Sequence, residues 1–269
     1  MIKNIFKGLS AYSRAFPLIS ELGLWKYFLI PMAISFFIAV AVFASIYKLA
    51  DNIGRWLASF YPFETGAETV EAIATFVGGL SILVLGLILY KHIVMALSSP
   101  FMSPVSEKME RHLFPEFHEE IKQRKTSNAQ QLVRGLRINV RNLIYELLIT
   151  IPLLLLSLIP LVNFVTTPLI FLVQSYYAGF GNMDYTLERH FNYRESVRFV
   201  KKSRGYAIGN GIVFMLMALI PVLGVIIVLP ISATAASKTT LELLRERRLF
   251  EKTGDNLKAE DQNRVRISG

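Results

Sequence analysis

From Leu147 to Met183 the chain runs thirty-seven residues without an Asp, Glu, Lys, Arg or His, and from Gly205 to Ser237 another thirty-three. As one α-helix the first run would reach ~55 Å, against a bilayer hydrocarbon core of ~30 Å, so it has to turn back. Ile159-Pro160-Leu161-Val162-Asn163 supplies the break, with a helix-breaking Pro close to a turn-tolerant Asn. The second run repeats the device at Ile220-Pro221-Val222-Leu223-Gly224, and each break is followed by a further proline, Pro168 and Pro230. The arm from Leu147 to Ile159 would span only ~20 Å. The pattern predicts two related helical hairpins, at about 147–183 and 205–237, that dip into the bilayer and return to the face they left.

Two shorter uncharged runs are long enough to cross. Tyr27 to Tyr47 has twenty-one residues and Ala72 to Tyr90 nineteen, and they predict transmembrane helices at about 27–47 and 72–90. Ala39-Val40-Ala41 resembles a signal-peptidase site, but the apolar run continues past it, so the first helix is read as retained. Gly78, Gly79 and Gly86 in the second helix suit either close helix approach or ordinary membrane-helix composition. Met1 to Leu22 is amphipathic, with Ile5, Leu9, Tyr12, Phe16 and Ile19 near helical spacing, and is expected on the membrane surface.

The stretch from His92 to Glu146 is the polar third of the chain. Breaks are expected at Ser98-Ser99-Pro100-Phe101 and at Pro104, followed by a mixed-charge helix with Glu107, Glu110, Arg111 and His112. Gln131 to Tyr145 places Leu132, Leu136, Val140, Leu143 and Ile144 on one face and Arg134, Arg137 and Arg141 in a stripe on another. Arg194 and Arg198, with Lys201 and Lys202, make a second stripe between the hairpins. These stripes suit anionic lipid headgroups or a guided anion. Residues 1–248 thus read as one membrane domain, and 249–269 as a polar tail expected to be disordered.

Composition fits an all-α integral membrane protein, since 53% of residues are hydrophobic and they fall in blocks. The chain has no Cys, which removes disulfides, thiolate metal sites and cysteine nucleophiles. A net charge of +9 speaks for orientation and lipid contact rather than nucleic acid. No phosphate-cradling Gly-Lys-Ser/Thr loop, nucleophile elbow or His-Glu-x-x-His helix occurs, so neither an enzyme nor a cofactor is expected. His112 and His118 with Glu116, Glu119 and Glu120 make only a weak metal cluster in a polar segment around Pro115.

The order of these elements resembles the bacterial sulfate permease CysZ family. The resemblance rests on Leu18-Ile19-Ser20-Glu21-Leu22-Gly23-Leu24-Trp25-Lys26 before an apolar run with Pro31, and on Pro100-Phe101 followed by Glu107 and Glu110. It continues through Asp184-Tyr185 after the first Ile-Pro hairpin and ends with the second hairpin. The resemblance implies two long transmembrane helices, two hemi-penetrating hairpins, a homo-oligomer in the inner membrane, and sulfate uptake for cysteine synthesis without nucleotide hydrolysis. It places the anion site at Gly23, Leu24, Trp25 and Lys26, where helix N-terminal amides and a cation suit a tetrahedral dianion. Trp25 and Lys26 stand where the family carries arginines, and the competing role for the pair is interfacial anchoring. Glu107, Glu110, Arg111, His112 and Asp184 would line the permeation path. The alternative to an oxyanion permease is a membrane-shaping protein whose hairpins wedge one leaflet while its arginines hold anionic lipid.

If both hairpins return to their starting face, 27 of the 29 Lys and Arg residues lie on one side, which the positive-inside bias makes cytoplasmic, termini included. Reporters fused to each terminus in living cells should therefore be active only in the cytoplasm. Equal signals from the two compartments would refute a single imposed orientation.

Overall fold

The computed structural model describes residues 1–58, 67–115, 127–157, 159–220 and 223–267, and their side chains except those of 46, 48–81, 160, 223–225 and 249–267. Those residues are helical, with no strand among them. Nine helices are described: α1 (Ile2–Ser10), α2 (Tyr12–Glu21), α3 (Trp25–Ala58), α4 (Ala67–Leu113), α5 (Asn128–Leu156), α6 (Pro160–His190), α7 (Tyr193–Lys202), α8 (Arg204–Ala218) and α9 (Leu223–Ile267). Five of them, α3, α4, α5, α6 and α9, are long and apolar enough to cross a membrane. This is an all-α membrane protein.

Local chemistry sets the helix ends. Gly23 takes φ +58°, the left-handed region open to glycine, and the turn it makes lets Leu24 N–H donate to Ile19 C=O at 2.8 Å, closing α2. Ser127 and Gln130 form a reciprocal capping box that starts α5, and Asn192 and Glu195 do the same for α7. Ile159 is extended, and Pro160 then opens α6 at a position where its missing N–H costs nothing. The first hairpin break therefore falls where the Ile-Pro pair places it, whereas Pro221 and Val222 of the second lie outside the described residues.

The polar third differs from expectation. α4 runs unbroken through Ser98, Ser99, Pro100 and Pro104 to Leu113. Its serines are buried against neighbouring helices, and Ser99 Oγ donates to the Gln131 carbonyl at 3.1 Å. A proline inside a packed helix is tolerated where neighbours meet the freed backbone groups. The arm expected to begin at Leu147 is likewise only the end of α5, which starts at Asn128 and would reach ~44 Å at the α-helical rise. Counting uncharged residues misplaced its start because Glu146, the charge just before Leu147, is fully buried inside the fold. α8 keeps the expected shortness: fifteen residues reach ~22 Å, less than a hydrocarbon core. The backbone of α9 stays helical to Ile267, through the tail for which composition predicts no order.

α5 is patterned inside out. Leu132, Leu136, Val140 and Ile144, which share one face, are exposed, while Gln131, Gly135, Asn139, Asn142, Glu146 and Thr150 are buried. Lipid is as apolar as leucine, so no hydrophobic force turns an aliphatic face away from it, and polar and small residues gather where helices meet. At the hairpin tip Leu161 is 83% and Phe164 81% exposed. The N-terminal pair α1 and α2 instead buries Gly8, Ala11, Ala15, Leu18 and Ile19 and leaves Phe16 outside. Tyr12 Oη donates to the Asn210 carbonyl at 2.8 Å, tying α2 to α8.

Small residues set the tightest packing. On α8, Ala207 and Gly211 meet Gly179 and Ser175 of α6 four residues apart on both sides, and a Cβ built on Gly179 or Gly211 would strike the facing backbone. One turn round, Gly205 and Gly209 face Asn4, Ile5 and Gly8 of α1. α8 is thus a close-packed spacer between two helices. Gly179→Val and Gly211→Val should each cost about 1–3 kcal/mol by overpacking and lower the melting temperature in detergent. Unchanged melting would show that the two backbones have room to spare.

Candidate functional site

The polar atoms missing from the lipid-facing surface of α4, α5 and α6 are found between them, in three clusters. In the first, Glu146 on α5 is fully buried between two residues of α4: Lys91 Nζ lies 2.5 Å from Oε1 and His92 Nε2 2.9 Å from Oε2. Lys91 also donates to the Gln174 carbonyl of α6 at 3.1 Å. Asn139 Nδ2 donates to the Gly135 carbonyl, which turns its Oδ1 toward His92 Nδ1 at 3.2 Å. That nitrogen is then the protonated one, and the contact from Nε2 to Glu146 requires a second proton, held on the ring or on the carboxyl.

The second cluster joins three helices through Arg134 of α5. Its Nη2 donates to Asp184 Oδ1 on α6 at 3.0 Å and to Ser196 Oγ on α7 at 2.8 Å, while Nη1 donates to the Phe191 carbonyl at 2.7 Å. The guanidinium fork is spent on bonds within the protein. The third cluster sits where α4 and α6 end. Arg189 pairs with Glu110 and donates to Ser106 Oγ at 3.2 Å, and His190 Nε2 lies 3.3 Å from the same carboxylate oxygen. Ser106 and Ser237 flank Thr186 at 3.1 and 2.9 Å and extend the polar line to α9. Arg189 Nε and Nη1, Glu110 Oε1 and Glu188 Oε1 are buried without a hydrogen-bond partner among the described residues. Such atoms are costly in an apolar interior and mark a place where a polar guest gains most.

A family model described as sulfate transporter CysZ/etoposide-induced protein 2.4 matches residues 11–228. The chain belongs to this family. A search of curated proteins found no match. The match runs from α2 into the start of α9 and takes in every residue of the three clusters except Ser237.

Within this CysZ-type frame the predicted site residues separate. Glu110 and Asp184 are interior, but Glu107 and Arg111 form an exposed i,i+4 pair at 2.5 Å, and His112 sits 3.5 Å from Glu21 on the surface. The arginine stripe does not act as one surface: Arg134 turns inward, Arg137 stacks 4.3 Å above the Tyr193 ring, and Arg141 lies 4.8 Å from Tyr145 and 5.5 Å from Phe180. At the first-helix site, the premise of free amides fails for two residues. Gly23 N–H donates to Ser20 C=O at 3.2 Å and Leu24 N–H to Ile19 C=O, because they close α2 before α3 begins. Leu24 is fully buried, Trp25 Nε1 reaches Ser20 Oγ at 3.4 Å, and Lys26 Nζ lies 5.3 Å from the Tyr27 ring. The suggested metal residues Glu116, His118, Glu119 and Glu120 lie outside the described residues.

Lys91, His92, Glu146 and Arg189 escape a sequence reading because charges bounding an apolar run look like interfacial anchors. The available signal was the spacing of Lys91, Ser98, Ser99, Ser106 and Glu110 at helical intervals, once α4 is allowed to continue through its prolines.

Removing one partner of a buried pair strands the other charge, at a cost of about 3–5 kcal/mol. Lys91→Met should therefore destabilise the protein by that order, and adding Glu146→Gln should restore much of the loss. A double-mutant cycle from unfolding in detergent checks this. Additive losses would mean the two residues are not coupled.

Proposed function

We propose that the protein is a permease or channel of the bacterial plasma membrane for a small tetrahedral oxyanion, most simply sulfate. The carrying observation is Arg189: a buried guanidinium, paired through one nitrogen with Glu110 and Ser106, whose Nε and Nη1 have no hydrogen-bond partner among the described residues. A dianion would give acceptors to these two unspent donors, and the family to which the chain belongs is described by sulfate transport. In this reading the oxyanion exchanges with the carboxylate of Glu110 on Arg189. Deeper in, Lys91 offers a second cation that is already compensated by Glu146. An anion therefore meets cations whose charge is balanced in its absence, which holds them without binding it too tightly to leave.

The remaining expectations belong to the same proposal. The shortness of α8 supports a second hairpin that enters one leaflet only, both termini lie in the cytoplasm, and copies of the chain associate in the membrane beside anionic lipid. Gly23, Leu24, Trp25 and Lys26 act in this reading as the junction that orients α3, with Trp25 and Lys26 its interfacial anchors.

Purified protein reconstituted into liposomes should take up radiolabelled sulfate above the level of empty liposomes. Arg189→Gln should lower uptake per folded molecule about tenfold or more, the equivalent of losing one charge-assisted hydrogen bond. Lys238→Gln, which removes a peripheral partner of Glu242, should leave uptake unchanged. Wild-type uptake no greater than that of empty liposomes would end the proposal.

A further inference from the structure

Beyond the interior clusters, α7 and α9 enclose a cleft of about 260 Å³ whose walls carry Arg198, Lys202, Arg247 and Arg248, with Glu195 and His190 among them. Residues 195, 198 and 202 fall on one face of α7 at helical spacing, and Phe199 and Leu244, both buried, make the floor. Arg198 and Lys202 outnumber Glu195, the one carboxylate in the lining. The carboxylate is already engaged, because Glu195 Oε2 accepts the Asn192 N–H at 2.8 Å in the α7 cap. Arg198 and Lys202 make no hydrogen bond or ion pair among the described residues, and the Arg247 guanidinium lies 6.0 Å from the Phe199 ring.

His190 supplies an independent pointer to a ligand. It lines the cleft, its side chain is only 4% exposed, and both its ring nitrogens are buried with no hydrogen-bond partner among the described residues, Nε2 lying 3.3 Å from the Glu110 carboxylate. The ring is therefore the wall between the cleft and the Arg189–Glu110 pair. A surface histidine among arginines would be wet on both nitrogens, whereas this one is buried with both unspent.

We propose that this cleft binds a tetrahedral oxyanion of charge two or more, a phosphate or sulfate group, either free in solution or carried on a lipid headgroup. Arg198 and Lys202 bind it from α7 and Arg247 and Arg248 from α9. Repulsion between Arg198 and Lys202, one turn apart on α7, disfavours the empty cleft and favours the occupied one. An anion in the cleft and Glu110 attract the same imidazole from opposite sides, so occupancy bears on the Arg189–Glu110 pair through His190. The site does not require the chain to be a permease, since binding is measured without transport.

The test is calorimetric titration of the detergent-purified full chain with inorganic sulfate and inorganic phosphate, repeated in nanodiscs of phosphatidylcholine alone and with added phosphatidylglycerol. Arg198→Gln and Lys202→Gln should each weaken binding about tenfold. Glu195→Gln should strengthen it by a comparable factor, because glutamine keeps the capping box and removes the one negative wall. A gain of affinity cannot come from a damaged fold. If the natural source is a free ion, affinity is the same in both nanodiscs. If it is a lipid, phosphatidylglycerol abolishes titration by the inorganic ions in wild type, and less so in Arg198→Gln. Absence of binding in detergent and in phosphatidylcholine, or affinities that ignore all three substitutions, would overturn the proposal. Neither result would touch sulfate uptake, whose failure would leave the cleft standing.

Discussion

A carboxylate held between a lysine and a histidine, deep among three helices, is what the interior of this protein is arranged around. Glu146 cannot be ionised there without Lys91 and His92, and they cannot be buried without it. Because the partners lie on α4 and α5 and Lys91 also holds a carbonyl of α6, satisfying one charge fixes the mutual position of three long helices. The net stabilisation from such a cluster is modest, since desolvation offsets most of the attraction. Its effect is selectivity: packings that separate the three helices leave a bare charge in an apolar medium. Arg134 with Asp184, and Arg189 with Glu110, apply the same constraint nearer the other end of α4 and α6.

Small side chains provide the complementary constraint. Where no charges meet, α6, α8 and α1 approach through glycine, alanine and serine, and contact is nearly backbone to backbone. Apolar bulk also lies on the outside, on Leu136, Ile144, Leu161 and Phe164, while Phe28, Phe180 and Phe214 fill the interior. Charge pairing thus orients the long helices and small residues bring the short ones in.

Much of this order was legible in the residues. The uncharged runs, the Ile159-Pro160 break and the succession of motifs from Leu18 to the second hairpin led to an all-helical membrane protein of the CysZ type, and the family match bears that out. The depth and aspect of the polar helices were not legible. Prolines at 100 and 104 read as ends because propensity is local, while their tolerance depends on neighbours that only the fold supplies. Arg134, Arg137 and Arg141 share a face by arithmetic yet go to three different partners, because a long side chain chooses among them in three dimensions. Gly23 and Leu24 were read as the start of one helix, although their amides serve the end of the previous one.

The reciprocal fit of Ala207 and Gly211 on α8 against Gly179 and Ser175 on α6 carries one more consequence. Glycine and alanine have no χ angle to change, and serine has only one, so this contact has almost no alternative rotamers and gives up almost no side-chain entropy when it forms. It cannot yield by repacking. α6 and α8 are therefore locked to each other by backbone, whereas contacts made by long side chains such as the buried Lys91 and Arg189 keep rotamers through which neighbouring helices can shift.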